Sequence, residues 1–187
     1  MNMKKTIILL VISIMAFCCP VQAQHLKFMG IPLNGTITQF QQKLTAKGVK
    51  YDKASSQVLP SGIRAYKGSF VGHDANIYVY YDLSSKIVYE AKAVLGFTSE
   101  SSCDIEYNEI KTLLSTKYPD AETDTDYQDG HEAYYYRVLD NEYNPLGVIS
   151  VFVSTNIYAY PYEHQVHIEY TDYTNYLKNE DSRMNDL

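Results

Sequence analysis

Four groups of side chains have residue types that chemistry uses. Cys103 is one of three cysteines. With a base such as His73, His131, His164 or His167 beside it, its thiolate could act as a nucleophile, and a helix start would favour that thiolate. No flanking motif accompanies it, so the residue reads as a small buried side chain at a helix start. His164 and His167 lie three apart on a predicted strand, which puts them on opposite faces and unable to hold one metal together. The acidic run Asp120 to Glu132, DAETDTDYQDGHE, offers hard oxygen ligands. An EF-hand started at Asp124 places Asp129 where glycine is needed, so that pattern fails. Asp124, Asp126 and Asp129 are left as a candidate calcium set of another kind, weighed against a solvated acidic loop.

The fourth group is tyrosine. The chain has 19 Tyr and no Trp. Three clusters stand out: Tyr78, Tyr80 and Tyr81; Tyr134, Tyr135 and Tyr136; Tyr158, Tyr160 and Tyr162. Tyrosine suits a pleated surface and also recognition surfaces. Alternation puts Tyr78 and Tyr80 on one face and Tyr81 on the other, and divides Tyr134 and Tyr136 from Tyr135 in the same way. One set must pack under helices; the other could form an exposed aromatic stripe. Tyr78, Tyr80, Tyr134 and Tyr136 are the expected contacts. Glu90, Glu132, Glu163 and Glu169 fall on predicted strands, but spacing assigns no pair for glycoside hydrolysis. Phosphate-loop, nucleophile-elbow and dinucleotide motifs are not found, and the expectation is no cofactor and no catalysis.

The elements that carry these residues follow from periodicity. Ala75 to Phe97 reads as a hairpin. Ala75, Ile77, Val79, Tyr81 and Leu83 alternate with Asn76, Tyr78, Tyr80 and Asp82, and Asp82, Ser84 and Ser85 suit the turn. Thr36 with Gln39 is a capping-box pattern, Ile37, Phe40 and Leu44 share a helical face, and Gly48 stops the helix. Lys50 to Gly62 reads as a connection with one short edge strand, and Ile63 to Phe70 as a strand. A second helix runs from an Asp104 cap to Tyr118, with Tyr107, Ile110 and Leu114 on its stripe and Pro119 at its end. Strands follow at Glu132–Asp140, Leu146–Ser154 and Tyr162–Thr171, while 175–187 reads as a polar, flexible tail.

The first 23 residues read as a secretory signal peptide. Lys4 and Lys5 precede an apolar run from Thr6 to Phe17, and Val21-Gln22-Ala23 is a small-residue cleavage site. That run is shorter than the ~20 residues of a membrane span. The alternative is a lipoprotein anchored through Cys18 or Cys19. The exported chain, periplasmic or secreted, would lack both lysines and be more acidic than the net −6 of the whole sequence. An acidic chain without a basic run is a poor partner for nucleic acid. Cys103 alone would remain, so no disulfide could form within the chain.

Element order then repeats: helix and three strands, twice. Ile37, Phe40, Leu44 and Lys47 align with Tyr107, Ile110, Leu114 and Lys117 at a constant offset of 70. The expected fold is α+β, two tandem helix-plus-antiparallel-meander (αβββ) repeats, 24–99 and 100–174, forming one domain of residues 24–174 with the helices packed on the sheet. From Met29 to Tyr170, opened by Gly30-Ile31-Pro32-Leu33-Asn34-Gly35-Thr36, this order resembles the β-lactamase-inhibitor-protein architecture, and one unit resembles the small outer-membrane-assembly lipoproteins. That family's paired disulfides have no counterpart here. The resemblance implies a protein-binding module and carries over no residues. The function expected is a non-enzymatic exported module that binds an envelope or extracellular protein through a Tyr-rich sheet face. The alternative is a carbohydrate-binding or glycan-handling protein using the same face.

Overall fold

The computed structural model describes residues 24–128, 131–156 and 163–185. The leader reading of 1–23, Cys18 and Cys19, Asp129, and the cluster Tyr158, Tyr160 and Tyr162 lie outside them.

The chain opens with a two-residue pair of short strands, β1 (Lys27–Phe28) and β2 (Ile31–Pro32). Helix α1 (Ile37–Ala46) follows, and its capping box is formed: the Thr36 N–H donates to Gln39 Oε1 at 3.0 Å and the Gln39 N–H to Thr36 Oγ1 at 3.4 Å. Ile37, Phe40 and Leu44 are its buried stripe, as their spacing predicts. The connection to Gly62 contains the edge strand β3 (Lys50–Tyr51) and also a short helix, α2 (Lys53–Val58). Asp52 caps that helix through the Ser55 N–H; no apolar periodicity marked it, because none of its residues is buried.

Strands β4 (Ile63–Phe70), β5 (His73–Tyr81) and β6 (Val88–Phe97) form a meander. Helix α3 (Glu100–Lys117) begins earlier than expected, at a Ser99 cap, and buries Cys103, Glu106, Tyr107, Ile110 and Leu114. The acidic run beyond it is an edge strand, β7 (Glu122–Gln128), rather than a loop. It pairs with β8 (His131–Leu139), which pairs with β9 (Pro145–Asn156), and that with β10 (Glu163–Asp172). Residues expected to form a tail continue β10 directly into helix α4 (Tyr173–Asn185).

The eight longer-range strands make one antiparallel sheet in the order β3-β4-β5-β6-β10-β9-β8-β7. The α+β class with an antiparallel sheet is as expected. The strand count differs: four strands, not three, follow each of α1 and α3, because the short β3 and the acidic β7 add an edge on either side. One face of the sheet is the core. Ile77, Val79, Ala91, Ala93, Leu95, Ile149, Val151, Val166 and Ile168 have essentially no exposure. They lie under α1, α3 and the segment Leu26 to Leu33. Burying each large aliphatic side chain there is worth ~1.5–3 kcal/mol against the ordering of the chain.

Two turns carry strain. The loops Met29-Gly30 and Val71-Gly72 each join paired strands by two residues with positive φ (51° and 75°, 45° and 91°). Such turns favour Asn, Asp or Gly in both places. A left-handed conformation costs an ordinary residue ~1–2 kcal/mol, and a β-branched valine there is rarer still.

Candidate functional site

The other face of the sheet is bordered at one end by α4, whose Tyr176 ring lies 6.0 Å from that of Tyr89 and whose Asn179 and Arg183 share a cleft with Tyr80. Helices α1 and α3 lie on the core face, and α4 closes one end, where Asn175 donates to the Leu33 and Val88 carbonyls. Cross-strand pairing fixes which side chains stand on the open face. One row runs Tyr78, Lys92, Glu169, Ser150, Tyr135 and Asp124; the next runs Tyr80, Glu90, Thr171, Val148, Arg137 and Glu122; a third contains Val94, His167, Phe152 and Ala133.

Tyr78 and Tyr80 are therefore where the sequence placed them, half-buried on the open face. Tyr134 and Tyr136 are not. They stand on the core face beside Val151 and Ile149. Tyr136 is 1% exposed, and its hydroxyl donates to the Lys111 carbonyl of α3 at 2.7 Å. The rings of Tyr134 and Tyr136 are 5.0 Å apart, with the Lys111 ammonium 4.4 Å from the Tyr134 ring. Tyr135 takes the open-face position instead. Phe152, which the sequence reading did not single out, joins it there.

The centre of the open face is charged. Lys92 Nζ lies 2.6 Å from Glu169 Oε1 and 5.2 Å from the Phe152 ring. Ser150 Oγ donates to Glu169 Oε2 at 3.4 Å. His167 stacks flat on Phe152, centroids 4.6 Å apart, with Nε2 2.7 Å from Ser154 Oγ. Its Nδ1 is buried without a hydrogen-bond partner among the described residues. Burial, helped by the Lys92 charge, pushes this imidazole down to about 3, so it is neutral at ordinary pH. Glu90 accepts from Thr171 Oγ1 at 3.3 Å. It has no ion-pair partner among the described residues, since Lys92 is committed to Glu169. Burial lifts its carboxyl to about 7, and the Glu169 charge adds to the shift. Tyr80, paired across from Glu90, is pushed up to about 12, chiefly by burial and next by that carboxylate.

The remaining candidates are dispersed. Cys103 is buried, and its thiol is pushed up to about 12 by burial, with Asp104 and Glu100 adding to it. The helix start does not win here, so no thiolate is available. His73 Nε2 is 2.8 Å from Glu106 Oε2. His164 and His167 occupy opposite faces, as alternation required. Asp124 and Asp126 do share the open face of β7, but each accepts from the N–H of the next residue. No group of three or more His, Cys, Asp or Glu side chains that could hold a metal occurs among the described residues. A cleft of ≈ 530 Å³ opens beside them, with Tyr135, Arg137, Val148 and Tyr173 in its wall. No helix among the described residues is long and apolar enough to cross a membrane. Comparison with family models, with curated proteins and with solved structures finds no match to this chain.

Proposed function

We propose that this chain is an exported, non-enzymatic module that binds a protein partner through its open sheet face. The observation that carries the reading is the half-exposed surface of that face beside α4. Tyr78, Tyr80, Tyr135 and Phe152 stand half-exposed around the Lys92–Glu169 pair and Glu90, which has no ion pair among the described residues. Eight strands with seven spacings of ~4.8 Å span about 34 Å, room for the ~800 Å² per partner of an ordinary interface. Aromatic side chains with a polar handle are the residues that dominate such contacts. Glu90 adds a preference. Its carboxylate is half-buried with no ion pair of its own among the described residues, and a partner's lysine or arginine would supply one beside the Tyr80 ring.

Two further readings belong with this proposal. The N-terminal pattern of residues 1–23 supports export to the periplasm or beyond. The two helix-led runs support a tandem-unit origin. Their aligned stripes, Ile37, Phe40 and Leu44 against Tyr107, Ile110 and Leu114, are all buried, and the last strands of the runs, β6 and β10, meet at the sheet centre. The resemblance to the β-lactamase-inhibitor architecture rests on that order alone.

The test is capture from a detergent-solubilised envelope extract on the immobilised chain. One recovered protein, lost with the Tyr78→Ala/Tyr135→Ala double variant and retained with Tyr127→Ala, supports the reading; Tyr127 is 78% exposed but off the open face. Equal capture by all three refutes the assigned face. Saturable glycan binding lost in the same double variant would replace the protein partner with a sugar.

A further inference from the structure

On the helix-covered side, a cleft of ≈ 350 Å³ lies between α3 and the two strained turns. Its walls are Phe70, Ile110, Leu114, Ile168 and Tyr170. That volume is at the lower end of the ~300–1,000 Å³ range of small-ligand sites, and the lining is apolar, as such sites are. Three observations separate it from an ordinary packing gap. Leu113 and Val71 stand at its mouth 50% and 47% exposed. Both tight turns that border it, Met29-Gly30 and Val71-Gly72, hold an apolar residue at the left-handed position where Asn or Asp would relieve the strain. Met29 is partly buried against the core, but Val71 gains little burial for its strain, so that residue is hard to attribute to folding. Finally, Lys117 is the only charged residue in the lining among the described residues. Its ammonium rests 5.1 Å from the Tyr118 ring and has no carboxylate partner among the described residues. In a chain of net charge −6, a lone cation beside an apolar cleft favours one kind of guest.

We infer that this cleft binds a single-chain amphiphile with a carboxylate head, of the fatty-acid class: the chain lies between α3 and the two turns, and the head pairs with Lys117. Val71 is held in a left-handed conformation because its side chain completes the apolar mouth. The site is independent of the open face, so either reading can fail without the other.

Decanoate, used below its micelle concentration, is the probe, with decanol as the uncharged control. Both are titrated calorimetrically into the full chain and into three variants; the N-terminal apolar run is common to all four and cancels in the comparison. The wild type should bind decanoate saturably at one site. Val71→Asn should raise the thermal midpoint, since Asn accepts positive φ, yet weaken decanoate at least about tenfold by removing apolar contact. Leu113→Glu should weaken it similarly, placing a like charge at the mouth of an otherwise unchanged fold. Lys117→Gln should weaken decanoate about fivefold and leave decanol unchanged. Absence of saturable binding to the wild type overturns the inference. So does wild-type affinity in Val71→Asn, or a lowered midpoint for it, which would make Val71 structural.

Discussion

Replacing Glu90 by Gln isolates the charge that the open face accommodates worst. Burial on the sheet raises this carboxyl from 4.5 to about 7. The folded value lies above the unfolded one, so the contribution of Glu90 to stability is fully present below pH 4.5 and is lost as pH rises through 7. The gap of about 2.5 pH units, at 1.36 kcal/mol each, sets a ceiling of ~3 kcal/mol. Partial solvent access and the sharing of charge with Glu169 bring the expectation to ~1–2 kcal/mol. His167 acts in the opposite sense. Its folded value of about 3 lies below the unfolded 6.5, so its contribution is present above pH 6.5 and is lost as pH falls toward 3. Near pH 5.5 each group carries almost one proton of difference between states, with opposite sign. The two slopes, each close to ~1.2 kcal/mol per pH unit at full shift, then cancel. Urea unfolding at pH 4, 5.5 and 8 reads this directly. Glu90→Gln should be more stable than wild type by ~1–2 kcal/mol at pH 8 and equal to it at pH 4. Between these it should slope toward acid where the wild type is flat. The groups facing Glu90 (Glu169 and Thr171 on β10, Tyr80 on β5, Lys92 and Tyr89 on β6) are unchanged in the variant. A destabilised variant at pH 8 would mean that the ionised carboxylate is favourable in the free fold. That result would refute both the desolvation argument and the need for a partner's cation.

The other predictions concern packing and the chain's closure. Asp172 is fully buried and receives the Leu26 N–H at 3.0 Å, the Asn175 N–H at 3.1 Å and His25 Nδ1 at 3.0 Å, tying α4 and the segment just before β1 to the end of β10. Asp172→Ala should cost ~3 kcal/mol in urea unfolding; a loss under ~1 kcal/mol would show that the clasp is dispensable. Tyr136→Ala should cost ~3–5 kcal/mol, whereas Tyr135→Ala should cost under ~1 kcal/mol. Similar values for the two would contradict the assigned faces. Gly147 faces Asp172 across β9 and β10, and a Cβ there would overlap the Thr171 carbonyl. Gly147→Ala should therefore cost at least ~2 kcal/mol, seen as a lowered thermal midpoint.

What was legible in the sequence was whatever a short window decides. The capping box at Thr36 and the alternation of Ala75, Ile77 and Val79 are local, and both stand in the structure. Strand β7 escaped because it is an edge: Glu122 to Tyr127 are exposed, so no buried apolar period marks it, and acidic side chains on an edge guard against further pairing. Helix α4 escaped because its anchors are polar: Asn175 and Asn179 are its buried residues. The tyrosine faces failed differently. Alternation separates Tyr135 from Tyr134 and Tyr136, but which set joins Tyr78 depends on the register carried from β5 through β6, β10 and β9 to β8, and no window contains that chain of pairings. One local signal did point the right way. Arg137 shares a face with Tyr135, and Val138 shares a face with Tyr134 and Tyr136. The charged residue belongs with solvent and the valine with the core, so the flanking residues assign Tyr135 to the open side before any register is known. The same weighing assigns Lys92 and Glu90 with Tyr78 and Tyr80. An aromatic stripe in a strand is thus best read by the company of its parity, and here that company is charged: the candidate interface is a row of rings spaced by carboxylates and a lysine, a surface suited to a partner that brings both apolar anchors and positive charge.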